Sequence, residues 1–292
     1  MDPATRLPDH LVEDALAFER GERTPVEPKH ASTVVLMRAG SGGPGSLEVY
    51  LLRRHVDMAF AAGMCVFPGG GVDPRDFDHA IGWAGPSPAE WAARMRVDEA
   101  LARALVCAAV RETFEESGVL LAGASAAEVV ADTTGDDWEA DRVALETRAT
   151  SFTDFLSRRG LVLRTDLLRL WGSWVTPAFE PRRYDTQFFL ARLPEGQVTR
   201  DVSTESDRVL WSPVREAIRM VDGGEMFMLP PTYITCAELF EYDEVGAALA
   251  GAEHRDLTPI RPEAVREGDA VHLSMPERVV RVGRDVSARI RG

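Results

Sequence analysis

Lysine is almost absent: Lys29 is the only one in 292 residues, so nearly all basic character is arginine. A base-composition bias explains such a skew without any function. Positive charge is also outnumbered, with 33 Lys and Arg against 47 Asp and Glu and a formal net charge of −14. A chain of that sign is a poor partner for a long polyanion held by counterion release, so no nucleic-acid partner is expected. Cysteines number three. Cys65, Cys107 and Cys236 lie far apart and none has CxxC spacing, which excludes a disulfide framework and a zinc knuckle. Apolar runs of 18 or more are missing, so no membrane association is expected. Residues 1–22 mix acids and bases without the apolar centre of a secretory signal, and the last four residues, Arg289-Ile290-Arg291-Gly292, are not a peroxisomal address. These absences point to a reducing, cytoplasmic location. What is present, 45% hydrophobic and 27% charged residues, is globular composition. The length admits two domains, or one enlarged by insertions.

Local signals divide the chain into alternating elements. Residues 32–38 and 47–54 are rich in Val, Leu and Tyr and flank the turn-forming SGGPGS at 41–46, which predicts a strand hairpin. Three glycines follow in Val66-Phe67-Pro68-Gly69-Gly70-Gly71, where the backbone can approach a ligand closely. Ser87-Pro88-Ala89-Glu90 combines an N-cap, a first-turn proline and a capping-box glutamate, so a helix starts at Pro88. Another runs from about Asp98 to Ser117 and stops at Gly118. Residues 122–159 are expected as one or two inserted helices with a loop at 132–137. Strands are expected at 170–176, 186–193 and 208–211, helices from Pro213 to Val221 and over 233–249, and short tail strands at 270–274 and 278–282. No internal repeat is visible, and the order implies a mixed α/β layered domain.

The most informative segment is Arg111-Glu112-Thr113-Phe114-Glu115-Glu116-Ser117-Gly118-Val119. Glu115 and Glu116 follow Glu112 by three and four positions, so all three carboxylates leave one side of a helix. Cys107, Val110 and Phe114 take the opposite side toward a core. Three anions in a last turn repel one another and oppose the helix dipole, so a cation must compensate. Oxygen ligands of this kind suit hard divalent ions such as Mg²⁺ or Mn²⁺. An isolated ExxEE is more often a solvated acidic face. The glycine turn upstream, whose backbone adds a carbonyl near the helix, shifts the balance toward a site.

With those residues in view, the segment resembles the box of the Nudix hydrolases, G-x5-E-x7-R-E-U-x-E-E-x-G-U, where U is aliphatic. Residues 111–119 match its second half with Thr113 as the loose position, and Phe67-Pro68-Gly69-Gly70 matches the entry. The first half departs: Asp76 stands where the family has glutamate, and 34 residues, 77–110, replace the usual seven. The stretch from Leu51-Leu52 through Gly63 to the glycines is similar to the CoA-type pattern, without its usual central serine and arginine. Trp174-Val175-Thr176-Pro177, the run from Arg182-Arg183 to Phe188-Phe189, and Leu229-Pro230-Pro231-Thr232 are similar to the acyl-CoA diphosphatases of animal peroxisomes.

The resemblance implies a Nudix-type α/β/α sandwich with a mixed sheet and helical insertions. It implies one catalytic domain at 30–250 with insertions near 77–97 and 122–159, an N-terminal extension at 1–29 and a C-terminal one at 251–292. It implies Mg²⁺- or Mn²⁺-dependent hydrolysis of a diphosphate in a small nucleotide substrate, CoA or acyl-CoA first, giving 4′-phosphopantetheine and adenosine 3′,5′-bisphosphate. NADH, ADP-ribose and other dinucleotides remain alternatives, as does a module that binds a nucleotide without cleaving it. Glu112, Glu115 and Glu116 then hold metal, joined by the carbonyl of Gly70, and Arg111 orients the carboxylates. Glu205 is the candidate base outside the box. Arg182 and Arg183 suit phosphate, of which CoA carries a 3′-group besides its diphosphate, though a pair of surface arginines is an equal alternative. Trp171, Trp174, Phe188 and Phe189 are expected in the core, with one open to adenine stacking. His55 and His79 are expected to be solvated, and Cys65 buried and inert. The oligomeric state stays open between monomer and homodimer.

Overall fold

Apolar alternation and local caps set the order of elements in the computed structural model, which describes residues 9–40, 42–43, 45–55, 61–267 and 270–292. Residues 1–8 of the N-terminal extension, positions 41 and 44 of the expected turn, 56–60 of the CoA-type stretch, and 268–269 lie outside the described residues. Helix α1 (Asp9–Glu19) precedes strands β1 (Lys29–Arg38), β2 (Glu48–Arg54), β3 (Cys65–Val66) and β4 (Gly69–Gly71), then β5 (Trp83–Ala84). Helices α2 (Pro88–Met95) and α3 (Glu99–Ser117) follow, then β6 (Ala122–Gly123), α4 (Asp136–Glu146), α5 (Phe152–Arg159) and β7 (Val162–Arg164). The second half holds β8 (Leu168–Val175), β9 (Tyr184–Arg192), β10 (Ser206–Pro213), α6 (Val214–Asp222), α7 (Pro230–Leu239) and α8 (Val245–Gly251). It ends with β11 (Glu263–Glu267), β12 (Ala270–Ser274) and α9 (Glu277–Arg291).

The main sheet runs β10-β2-β1-β9-β8, with β3 attached to β2 and β4 to β1. It is mixed, because β1 and β9 pair in parallel while the other pairs are antiparallel. Strict alternation along β1 sends Val34 and Leu36 into one core with α2, α3 and α5, and Val35 and Met37 into another with α6, α7 and α9. Helices on both faces make the expected α/β/α sandwich. The expected hairpin is present as β1 and β2, paired through Met37 and Val49.

Local capping decides the helix boundaries that matter. Ser87 accepts from the Glu90 N–H and Glu90 returns the bond to Ser87, fixing the start of α2. Asp98 accepts from the Leu101 N–H to start α3, and Gly118 closes it at φ 74°, where a Cβ is disfavoured. Alanines at 102, 108 and 109 let α3 lie close on β1, and the Ser32 hydroxyl donates to the Leu105 carbonyl at 2.6 Å.

Three expectations need correction. Residues 122–159 do hold two helices, but they open with the short strand β6, which joins β5 and β7 in a separate three-stranded sheet, and the loop between extends over 124–135. The helix expected over 233–249 is two, α7 and α8, broken at 240–244. Residues 278–282 are helix, not strand: Val279, Gly283, Val286 and Ser287 are buried at spacings of four, three and one, a helical stripe. The N-terminal extension carries α1, whose Ala15 packs with Phe179 and with Leu273 of β12. Among the described residues no helix is long and apolar enough to cross a membrane.

Candidate active site

Helix α3 brings the expected side chains together because its opposite side is fully committed to the core. Cys107, Val110 and Phe114 are buried, and Phe114 stacks on Phe155 of α5 at 5.3 Å and meets Trp138 of α4 edge-on. That packing turns Glu112, Glu115 and Glu116 toward β4. The Glu116 carboxylate accepts from the Gly69 N–H at 2.8 Å. Gly70 has no room for a side chain, since a Cβ there would lie 2.5 Å from the Glu112 carboxyl carbon. Gly70→Ala is therefore expected to push Glu112 aside and cut turnover about a hundredfold or more with a small loss of thermal stability, measured by parallel kinetic and melting assays. Unchanged turnover would remove Glu112 and Gly70 from the reacting centre.

Arg111 is the compensating cation within the cluster. Its guanidinium makes five hydrogen bonds: Nε to Asp76 Oδ1 at 3.0 Å, Nη2 to Asp76 Oδ2 at 2.9 Å and to the Gly71 carbonyl at 3.1 Å, and Nη1 to Glu112 at 2.8 Å and Glu115 at 3.2 Å. Asp76, a departure from the motif, thus takes a defined place. It is buried in a turn over Pro74–Phe77, where the Asp73 N–H donates to its carboxylate at 2.8 Å. Arg75 holds Asp73 down to about 2 by its side-chain hydrogen bond. Position six after Gly70 was the signal for Asp76, obscured by the 34 residues that follow.

The helix end has its own cations, supplied by the second insertion and the loop beyond β9. Arg142 of α4 donates to the Glu115 carbonyl at 2.8 Å, and the Arg200 guanidinium packs so tightly on Gly118 that a Cβ would come within 2.8 Å of its Nε. Arg142 thus answers a carbonyl left unpaired at the helix C-terminus, and the Arg200 backbone N–H answers another, donating to the Ser117 carbonyl at 2.9 Å. Helix α4 also sets the loop before β10, because Glu146 bonds Arg142 at 3.0 Å and accepts from the Thr204 hydroxyl at 2.6 Å. Glu205 follows directly and faces Arg54 at 3.0 Å.

Burial pushes all three glutamates of α3 above the ordinary carboxylate range. For Glu112 the opposing pull of Arg111 does not cancel it. Glu115 is pushed up to about 7 by burial and then by the Glu112 charge, and Glu116 rises well above the usual value for the same two reasons. Burial opposes the charge of Arg111, but Glu112, Asp76 and Glu115 outweigh it and hold the guanidinium charged. Among the described residues no three acidic, His or Cys side chains already form a coordination sphere. Glu112 and Glu115 turn instead to Arg111. The donor set nonetheless suits a hard divalent cation: crowded, desolvated carboxylate oxygens gain from one, beside a glycine strand stripped of side chain.

Of this cluster Gly70, Arg111 and Glu112 line a cleft of about 680 Å³, together with Arg54, Glu205 and Arg182, while Glu115 and Glu116 are not among its lining residues. Arg183 is not brought there. Its side chain donates to the carbonyls of Thr176 at 3.1 Å and Val26 at 2.7 Å, so the expected two-arginine fork is divided and only Arg182 faces the cleft. Trp171 and Phe189 are core, while Trp174 and Phe188, also buried, present an edge to the cleft. His55 and His79 are exposed, and burial pushes the Cys65 thiol up to about 11. Arg54 and Lys29 were missed from the sequence; both line the cleft.

A mixed sheet between helices, with a glutamate helix set against a glycine strand, is the arrangement of a Nudix hydrolase. A family model described as the NUDT19 Nudix domain matches residues 91–239, just over half of the chain, and the chain belongs to that family. The acyl-coenzyme A diphosphatase NUDT19 of Gallus gallus is 26% identical over 74% of this chain and 69% of its own length. That of Xenopus laevis is 24% identical over 67% of this chain and 60% of its own. Among solved structures, a NUDIX hydrolase from Alicyclobacillus acidocaldarius is 28% identical, covers 77% of this chain and 96% of its own, and superposes with a TM-score of 0.65.

Proposed function

We propose that the protein is a divalent-metal-dependent diphosphatase that cleaves CoA or an acyl-CoA into 4′-phosphopantetheine, free or acylated, and adenosine 3′,5′-bisphosphate. The observation that carries the hydrolytic part is the set of Glu112 against Gly70, Glu116 on the Gly69 N–H and Glu115 on Arg111, with Glu112, Arg111 and the Gly69–Gly71 strand lining a large cleft. The CoA part is supported by the names of the chicken and frog relatives. Glu112, Glu115 and Glu116, with the Gly70 carbonyl, would hold Mg²⁺ or Mn²⁺. A bound ion of that kind neutralises the diphosphate and acidifies an attacking water. Arg111 keeps the carboxylates aimed, backed by Asp76 and the Gly71 carbonyl. Glu205 takes the proton of the attacking water, oriented by Arg54, and Arg182 attracts the anionic substrate. Water adds to one phosphorus, the bridging P–O bond breaks, and the leaving phosphate carries away the bridging oxygen. The catalytic unit is then 30–250, with α4 and α5 bracing the glutamate helix from within an insertion.

Purified protein incubated with Mg²⁺ or Mn²⁺ and CoA, NADH, ADP-ribose or a dinucleoside polyphosphate tests this directly. CoA should turn over fastest, with both phosphate products separated by chromatography. Faster cleavage of NADH or ADP-ribose would reassign the substrate, and no turnover of any would sink the enzymatic claim.

A further inference from the structure

Two cations that line the cleft are without an ion-pair partner among the described residues. The cleft is lined by five basic residues, Lys29, Arg54, Arg111, Arg148 and Arg182. Arg54 faces Glu205 at 3.0 Å, Arg111 holds Asp76, and Arg148 lies 3.8 Å from Asp73. Among the described residues, neither Lys29 nor Arg182 has a side-chain ion pair or hydrogen bond.

The backbone sets them side by side. Lys29 opens β1 and pairs in register with Tyr184 of β9, while its N–H donates to the Arg183 carbonyl at 2.9 Å. Arg183 ties the preceding loop to the Thr176 and Val26 carbonyls, so Arg182 is carried by a fixed backbone. Lys29, Ala31 and Thr33 alternate along one face of β1 and all line the cleft. Ser32, paired with Gly70, stands three residues from Lys29, a separation of about 10 Å along the strand. Both residues are exposed and solvated when nothing is bound, and a compact dianion entering the cleft suits a lysine and an arginine together.

We infer that Lys29 and Arg182 form a receptor for a second phosphate, a monoester on the nucleoside, held one nucleoside's length from the diphosphate bound at Gly70 and Glu112. Resting on the CoA proposal above, this assigns the pair to the 3′-phosphate and makes it the element that separates CoA from diphosphates lacking that group. The single lysine of the chain then stands at a specificity position.

Steady-state kinetics on CoA and 3′-dephospho-CoA, for wild type, Lys29→Gln, Lys29→Arg and Arg182→Gln, test it. Wild type should favour CoA about tenfold or more in kcat/KM, mainly through KM. Lys29→Gln and Arg182→Gln should collapse that ratio toward one, and Lys29→Arg should restore most of it. A ratio unaltered by either glutamine variant, or a wild type indifferent to the 3′-phosphate, would overturn the receptor while leaving the CoA proposal standing. If wild type cleaves neither compound, the CoA proposal falls and calorimetric binding of adenosine 3′,5′-bisphosphate against AMP decides the receptor. Tighter binding of the bisphosphate, lost in Lys29→Gln, supports it, and equal binding removes it.

Discussion

Glu116→Gln should lower turnover by about a thousandfold while raising the melting temperature of the metal-free protein. The two effects share one cause. Glu116 lies buried beside Glu112 and is pushed well above the ordinary carboxylate range, so its ionised form strains the folded state near neutral pH. Glutamine keeps a carbonyl oxygen to accept the Gly69 N–H and fills the same volume, but removes the charge. The gain should be a few degrees at pH 8, on the order of 1–2 kcal/mol for a chain of this size. Stabilisation by added Mg²⁺ should shrink in the same variant. A fall in both melting temperature and activity would mark Glu116 as structural, and intact turnover would remove it from the proposed metal site.

The same cluster predicts how the metal-free protein responds to pH. Burial and the Glu112 charge push Glu115 up to about 7 in the folded chain, above the ordinary carboxylate range of the unfolded one, so the folded state binds its proton more tightly. Its stabilising contribution is complete below the unfolded value and is lost as pH rises through about 7. Glu180, pushed up to about 7 by burial and then by Asp14, adds a share of the same sign at the other end of the cleft. Melting temperature in EDTA should therefore decline from pH 5 to pH 8. Mg²⁺ should flatten the part due to the glutamate helix and leave the part due to Glu180.

How much of this was legible in the sequence follows from the range of each interaction. The start of α2 and the approximate span of α3 were readable because Ser87, Pro88, Glu90, Asp98 and Gly118 act through bonds that span only a few positions. The three glutamates were readable as one face by the same periodicity. Helix α9 was misread as strand because a window over Arg278-Val279-Val280-Arg281-Val282 holds only β-branched and charged residues, and its buried stripe appears over the full fifteen. The break at 240–244 carries neither glycine nor proline, so nothing local marks it. Tertiary partnerships were hidden for a different reason. Asp76 and Arg111 are 35 positions apart, and Arg142 reaches the Glu115 carbonyl across 27. The second insertion, which lies beyond the motif, supplies the cation that the last turn of the motif helix lacks. Arg183 failed for the same reason, because the two backbone carbonyls that claim it lie in other segments.

Arg111→Met should be the most destabilising substitution in the site and the one most responsive to metal. Methionine matches much of the aliphatic length, yet it removes five donated hydrogen bonds and the charge that three carboxylates share. Asp76 suffers most, since its side chain is only 2% exposed. Removing one partner of a buried ion pair costs about 3–5 kcal/mol because the other charge stays behind. For a chain of this size that corresponds to a fall of roughly 10 °C in melting temperature without metal. A divalent ion held by Glu112, Glu115 and Glu116 replaces part of the lost positive charge, so saturating Mg²⁺ should recover several degrees, by mass action on the folded state. Asp76 keeps no such substitute, and recovery should stay incomplete. Arg111→Lys should fall between, since it retains the charge but cannot reach Asp76, the Gly71 carbonyl and two glutamates at once. Thermal melts of the three proteins with EDTA and with Mg²⁺ measure both quantities. A shift under about 2 °C for Arg111→Met, or one that Mg²⁺ leaves untouched, would show that Arg111 neither anchors Asp76 nor shares its carboxylates with a metal.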